Sequence, residues 1–301
     1  MHYAHPIRRR VRELRQLAAA AAQPATRSRG VAVETYWWAW QPNFGDDLTR
    51  WLLPNYGVVP MYREPSDARL VGVGSILDIL PTGFDGAVWG SGLMNDHAYP
   101  LPRAQILAVR GHLTRERIAA PETVAVGDPG LLVRRRVQRP GVRWDVGLVP
   151  HGAHRSNAPF LALAEATGFS VRVIDVHRTA PRAVGEIAAC ATVLTTSLHG
   201  LITADAFGIP ALWTTLEPPL GGGAFKFADY ESVITPNASR YLEFDERMPL
   251  AEMLAHTAAA PQQTVEAACD ALEAALTRLP DVLGGLPRFP LSMWRRTDDG
   301  R

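Results

Sequence analysis

Cysteine is scarce in this chain: its 301 residues include two, Cys190 and Cys269. Both sit in apolar, helix-like surroundings at no metal-like spacing, which argues against a disulfide framework and a zinc site and fits a reduced, cytosolic protein. Net charge is nearly absent too. Thirty-one basic and 30 acidic residues leave +1, so no global field draws the chain to nucleic acid, and anions must be recognised locally. Lysine is scarcest of all. Thirty of the basic residues are arginine, and one, Lys226, is lysine. The arginine excess reads as a compositional bias. A lone lysine within it marks either chance or a place where a compact ammonium serves and a planar guanidinium does not.

A 47% hydrophobic content over this length supports one large core or two ordinary ones, and two is the better expectation. Residues 1–30 carry Arg8, Arg9, Arg10, Arg12 and Arg15 ahead of an alanine run. The apolar stretch is too short and weak for a secretion leader. It is expected to be a frayed basic helix that could rest on the inner face of an anionic membrane.

From Val31 onward, short apolar runs end in glycine and small or charged residues. Val31–Trp38 leads into Asn43-Phe44-Gly45-Asp46-Asp47, where Asp46 or Asp47 could cap a helix carrying Leu48 and Trp51. Tyr36, Trp37, Trp38 and Trp40 could stack on a sugar or fill a core. Leu70–Ser75, Val88–Gly92, Ile106–Gly111 and Val124–Gly130 repeat the pattern expected of parallel strands whose loops approach a ligand. Arg110 ends one of these strands, Thr114 could cap the helix that follows, and Asp128 with Pro129 forms a turn. Residues 134–144 are basic, contain Pro140-Gly141, and read as a linker.

The second half restarts the rhythm with Val146–His151, Val171–Ile174, Ala191–Leu194 and Ala211–Trp213 as strands. Its centre is Thr195–Pro210, a strand-to-helix turn that places His199 and Gly200 among the free amides of a helix amino end. His199 could equally be a hydrogen-bonded turn histidine. A glycine-rich loop, Gly221–Tyr230, carries Lys226. Leu250–His256 and Thr264–Leu279 read as terminal helices.

With these segments in place, the chain resembles the polysaccharide pyruvyl transferase family over most of residues 35–235. The resemblance rests on the order of Asn43-Phe44-Gly45-Asp46, Gly72-Val73-Gly74-Ser75, Gly90-Ser91-Gly92, Val109-Arg110-Gly111, Gly127-Asp128-Pro129, Pro150-His151, Ser197-Leu198-His199-Gly200 and Lys226–Tyr230. It implies an α/β fold of two Rossmann-like domains facing across a cleft, similar to the GT-B glycosyltransferases. The acceptor-side domain would span 31–135, a linker 136–144, the donor-side domain 145–285, and a tail 286–301. It also implies transfer of the pyruvyl group of phosphoenolpyruvate to a saccharide, which could be lipid-linked, as a cyclic ketal with no cofactor or metal.

Under that resemblance His199 is the expected proton donor, because imidazole titrates near working pH. His151 is the expected base and Asp46 its alternative. Arg110, Lys226 and the amide of Gly200 would hold the anion, joined by Ser75 and Ser91 at the glycine-rich strand ends. Asn43 would orient a substrate, and Asp229 could hold Lys226 or an acceptor hydroxyl. Many members of the family carry arginine where this chain has Ser197, so Ser197 can supply only a hydroxyl there. A nucleotide-sugar glycosyltransferase and a non-catalytic carbohydrate-binding protein remain alternatives.

Overall fold

The β-branched and aromatic runs form ten strands in a computed structural model that describes residues 17–289. β1 (Val31–Tyr36), β2 (Val58–Tyr62), β3 (Leu70–Val71), β4 (Ala87–Trp89), β5 (Gln105–Val109) and β6 (Ala125–Val126) make an all-parallel sheet in the order β2-β1-β3-β4-β5-β6. β7 (Trp144–Val149), β8 (Val171–Val173), β9 (Cys190–Thr195) and β10 (Ala211–Trp213) make a second, in the order β10-β9-β7-β8, also parallel. This is a mixed α/β chain with Rossmann-like parallel sheets. Parallel strands are covered on both faces, which is why their sequences are continuously apolar rather than alternating.

The order reverses once in each sheet, between β1 and β3 and between β7 and β9. Such reversals send consecutive connections to opposite faces and open a crevice at the strands' carboxyl ends. Here those ends carry residues 37–43 and 72–75 in the first sheet, and residues 150–153 and 196–197 in the second.

One apolar core reaches both sheets. It includes Val33, Phe44, Leu48 and Trp89 from the first half and Val149, Val193, Leu201 and Trp213 from the second. The Phe44–Leu52 helix packs on the Ala180–Ala188 helix, and Phe44 N donates to Val176 O at 2.8 Å. The Gln262–Thr277 helix runs back over β4, β5 and β6, where Trp89 Nε1 donates to Leu272 O at 2.9 Å. Among the described residues no helix is long and apolar enough to cross a membrane.

Several sequence expectations are corrected here. β2 was not anticipated, because Pro60 interrupts it; β2 is an edge strand, where a missing N–H is tolerated. Asn43, not Asp46 or Asp47, caps the Phe44–Leu52 helix, its Oδ1 accepting from Gly45 N at 3.0 Å. Lys226 and Asp229 lie on a helix, Phe225–Ile234, not in the glycine-rich loop ahead of it. The basic extension beyond residue 17 is not frayed: the Pro24–Arg29 helix buries Thr26, whose hydroxyl donates to Pro54 O at 3.0 Å. The arginines at 8–15, with the membrane contact expected of them, and the tail from 290 lie outside the described residues.

Leu272 is fully buried in the core that joins the sheets. Leu272→Ala is expected to destabilise the chain by about 2–5 kcal/mol, and urea unfolding followed by circular dichroism should still show one transition. Two separated transitions would show that the sheets do not share a cooperative core.

Candidate active site

Residues from both crevices converge. The Phe44–Leu52 helix begins at the β1 crevice and buries Asp46, while the Leu198–Ala206 helix begins at the β9 crevice and buries His199. Contact between them is close. A Cβ on Gly45 would lie 2.1 Å from His199 Nδ1, so only glycine lets the two helix amino ends meet. The Phe44 ring also meets His199 edge-on, with centroids 6.3 Å apart. Gly74, at φ +125, lets its backbone approach Asp46, whose Oδ1 would be 3.1 Å from a Cβ there.

Arg110 follows β5 and is fully buried. Its Nε donates to Asp229 Oδ2 at 2.8 Å, Nη2 to Leu93 O at 2.7 Å, and Nη1 to Ser75 Oγ. Thr114 completes the shell of Asp229, its N and Oγ1 each donating to the carboxylate at 2.7 Å. The expectation that Thr114 caps its helix is therefore replaced: the N-cap position is Gly111, and Thr114 serves Asp229. Asp229 likewise holds Arg110 rather than Lys226. Ser91 faces inward, its hydroxyl donating to Gly72 O across the strand ends.

Lys226 is 6% exposed and makes no ion pair or hydrogen bond among the described residues; its ammonium lies 5.8 Å from the Phe227 ring centroid. Burial depresses it to about 8, Arg110 adds to the effect, and Asp46 opposes it. Burial raises Asp46 to about 7, with neighbouring Asp47 adding and Lys226 opposing. His199 is driven down to about 3, first by burial and then by Arg110, Lys226 and His151. His151 falls to about 4, by burial and then by Lys226, His154 and His177. Burial leads every one of these shifts; the fixed positive charge pushes the two histidines and Lys226 further down and opposes the rise of Asp46. Lys226 is thus within electrostatic reach of Asp46, Arg110, His151 and His199, and His199 within reach of Arg110 and His151.

His151 Nδ1 accepts from Ala153 N at 3.1 Å, which fixes the neutral ring with its proton on Nε2. Ser197 is the N-cap of the Leu198–Ala206 helix, but its side chain makes no capping bond, which leaves the first-turn amides to another acceptor. Gly200 in that turn has a packing reason as well: a Cβ would lie 2.4 Å from Thr195 Oγ1. Trp40 is the one member of its aromatic run left in solvent, at 69% exposure, while Tyr36 and Trp37 are buried.

Asp128 was read from the sequence as a turn residue only. It is fully buried, and its Oδ2 lies 3.8 Å from His199 Nε2. The Gly127-Asp128-Pro129 motif was the available signal, and the turn explained it too readily. Among the described residues no group of three or more histidine, cysteine, aspartate or glutamate side chains could hold a metal ion.

The Polysaccharide pyruvyl transferase family matches residues 45–217, which include Asp46, Arg110, Asp128, His151 and His199 but not Lys226 or Asp229. The chain is similar to the succinoglycan biosynthesis protein ExoV of Rhizobium meliloti, 30% identical over 66% of this chain and 64% of that protein. It is also similar to an uncharacterized protein of Acanthamoeba polyphaga mimivirus, 26% identical over 52% of this chain and 58% of the other. The chain thus spans a little under two thirds of the length of the curated relatives it matches. With the match covering more than half of its length and the cluster above, the chain belongs to the polysaccharide pyruvyl transferase family.

Proposed function

We propose that this chain transfers the pyruvyl group of phosphoenolpyruvate to a saccharide of a polysaccharide or its precursor, forming a cyclic ketal and releasing phosphate. One observation carries the reading: two buried cations, Arg110 and the unpaired Lys226, surround an uncapped helix amino end that holds a histidine. Arg110 is held by Asp229, so Lys226 and the free amides are the groups left to receive a small anion. Charge-assisted hydrogen bonds to such a ligand contribute about 1.5–3 kcal/mol each. The ExoV name places that relative in succinoglycan biosynthesis, which supports a saccharide acceptor here. Under this reading the two halves act as in a GT-B enzyme, with the donor on the second and the acceptor on the first.

The chemistry follows from the same charges. Burial, reinforced by Arg110 and Lys226, keeps His199 neutral. A bound phosphoenolpyruvate offsets them, so His199 takes a proton. That proton passes to the methylene carbon, leaving an oxocarbenium-like centre that a sugar hydroxyl attacks. Asp46 or His151 takes the hydroxyl proton. A second hydroxyl displaces phosphate, which leaves with the remaining proton, and the ketal closes. No cofactor enters this balance.

Calorimetric titration of the full chain with phosphoenolpyruvate tests the reading, with nucleotide sugars in parallel. Binding of the latter alone would favour glycosyl transfer, and silence toward both would favour a carbohydrate-binding role. His199→Ala should keep phosphoenolpyruvate affinity within about threefold and lose about 10²–10⁴ in phosphate release. Near-normal turnover would refute it as the acid.

Lys226→Met is expected to weaken phosphoenolpyruvate binding at least about tenfold while raising stability at pH 7 by about 1–3 kcal/mol. The sign follows from the shift. The unfolded lysine titrates near 10.5 and the folded one near 8, so stability rises with pH between those values and the cost is fully present below 8. A variant that is less stable and binds normally would remove Lys226 from the site.

An anion raises the pKa of every group around it, so binding should take up protons. At pH 8, where Lys226 titrates, repeating the titration in buffers of different ionisation enthalpy should show net uptake of up to about one proton. Net release would contradict the charge assignment.

A further inference from the structure

Two buried polar atoms, Asp128 Oδ2 and His199 Nε2, have no hydrogen-bond partner among the described residues, and they lie 3.8 Å apart. Buried polar atoms are almost always paired, and an orphan calls for a reason. The turn accounts for only half of Asp128: Oδ1 accepts from Gly130 N at 2.7 Å and caps the 129–132 turn, which leaves Oδ2 unused. Each orphan is the complement of the other.

The two nitrogens of His199 are not equivalent. Nε2 is enclosed and faces Asp128, whereas Nδ1 lies against the backbone of Gly45, at the amino end of the helix that carries Asp46. We propose that Asp128 is the positioning residue of His199: on closing the 3.8 Å gap, Oδ2 takes the Nε2–H, fixes the ring, and leaves Nδ1 as the nitrogen that works on substrate. The pair resembles the carboxylate that orients a catalytic imidazole in hydrolase triads.

This rests on the reading of His199 as the proton donor. In that step Nδ1 loses its proton to the substrate's methylene carbon, Nε2 keeps its own against Asp128, and the ring ends neutral. Groups facing the pair are Arg110, Lys226 and His151 for His199, and Arg110, Asp229, Asp46 and Tyr230 for Asp128. Burial raises Asp128 to about 7, so at pH 8 its carboxylate is mostly ionised and can accept.

The test is the ring tautomer, read by ¹⁵N resonance of histidine-labelled full-length protein at pH 8, with the His199 signal identified by its loss in His199→Gln. Wild type should show the proton on Nε2. In Asp128→Asn the amide oxygen still accepts from Gly130, so the amide nitrogen replaces Oδ2 and points its own N–H groups at Nε2. The proton should then move to Nδ1. A proton on Nδ1 in wild type, or the same tautomer in both proteins, would overturn the proposal, and the wild-type spectrum decides even if the variant does not fold. In turnover, Asp128→Asn should lower kcat about 10²–10⁴-fold with KM for phosphoenolpyruvate within about threefold. Unchanged kcat would also overturn it. Failure of wild type to use phosphoenolpyruvate would sink the pyruvyl-transfer reading and leave the tautomer result standing.

Discussion

The buried pair between Arg110 and Asp229 is the contact on which the site's geometry depends. Arg110 ends a strand of the first sheet, and Asp229 lies on the Phe225–Ile234 helix that follows the second. A buried ion pair of this kind roughly breaks even against well-packed apolar residues, so stability is a weak reason for it. Placement is a better one. The guanidinium is tied to three elements at once, through Asp229, Ser75 and Leu93, and Thr114 closes the carboxylate from the other side. Lys226 lies three residues before Asp229, on the same face of the helix. The pair that fixes Arg110 therefore fixes the second cation too.

The other end of that helix is held as firmly. Tyr230 donates to Asp205 Oδ2 at 2.7 Å, and Arg240 reaches Asp205 through Nη1 at 2.5 Å and Nη2 at 3.0 Å. Arg240 Nε and Trp213 Nε1 both donate to Glu231, at 3.0 and 3.1 Å. Asp205 belongs to the Leu198–Ala206 helix, which also carries His199. Since every member of this network is satisfied, it rigidifies rather than weakens its surroundings. One short helix thus sets Lys226 against Arg110 through Asp229, and against His199 through Asp205.

Much of this was legible in the sequence. Strand positions followed from apolar runs ending in glycine, and β10 was read residue for residue. The family resemblance singled out Asp46, Arg110, Lys226, His151 and His199, and Lys226 interacts electrostatically with each of the other four. What stayed hidden depended on distant partners. Lys226 reads as loop because three glycines precede it, yet Phe227 stacks on Trp213 with centroids 4.3 Å apart, and that burial makes a helix of the segment. Ser91 looks like a ligand hydroxyl until the neighbouring strand end brings Gly72 O to it. Asp128 satisfies a local turn so well that nothing local points to His199, 71 positions away in the chain. Local chemistry names the candidates; the long-range fold decides which face the ligand and which hold those that do.

The electrostatics of the site also explain why Asp46, Asp128, His151, His199 and Lys226 are displaced toward their neutral forms. Arg110 is balanced by Asp229, but Lys226 has only the distant influence of Asp46, and burial opposes every charge. Adding a carboxylate of the protein beside Lys226 would relieve this, and it would also fill the place an anionic ligand needs. The imbalance is therefore a form of preorganisation: donors and cations are held where charge will arrive, at a standing expense to the fold. It also discriminates. Under the proposed function, a neutral sugar entering the same pocket would leave Lys226 unpaired and His199 unprotonated, so the proposed donor would be armed only by a ligand that brings negative charge. In the proposed reaction a weakly basic imidazole suits the step, because a proton it takes up beside the anion is the more readily given to carbon.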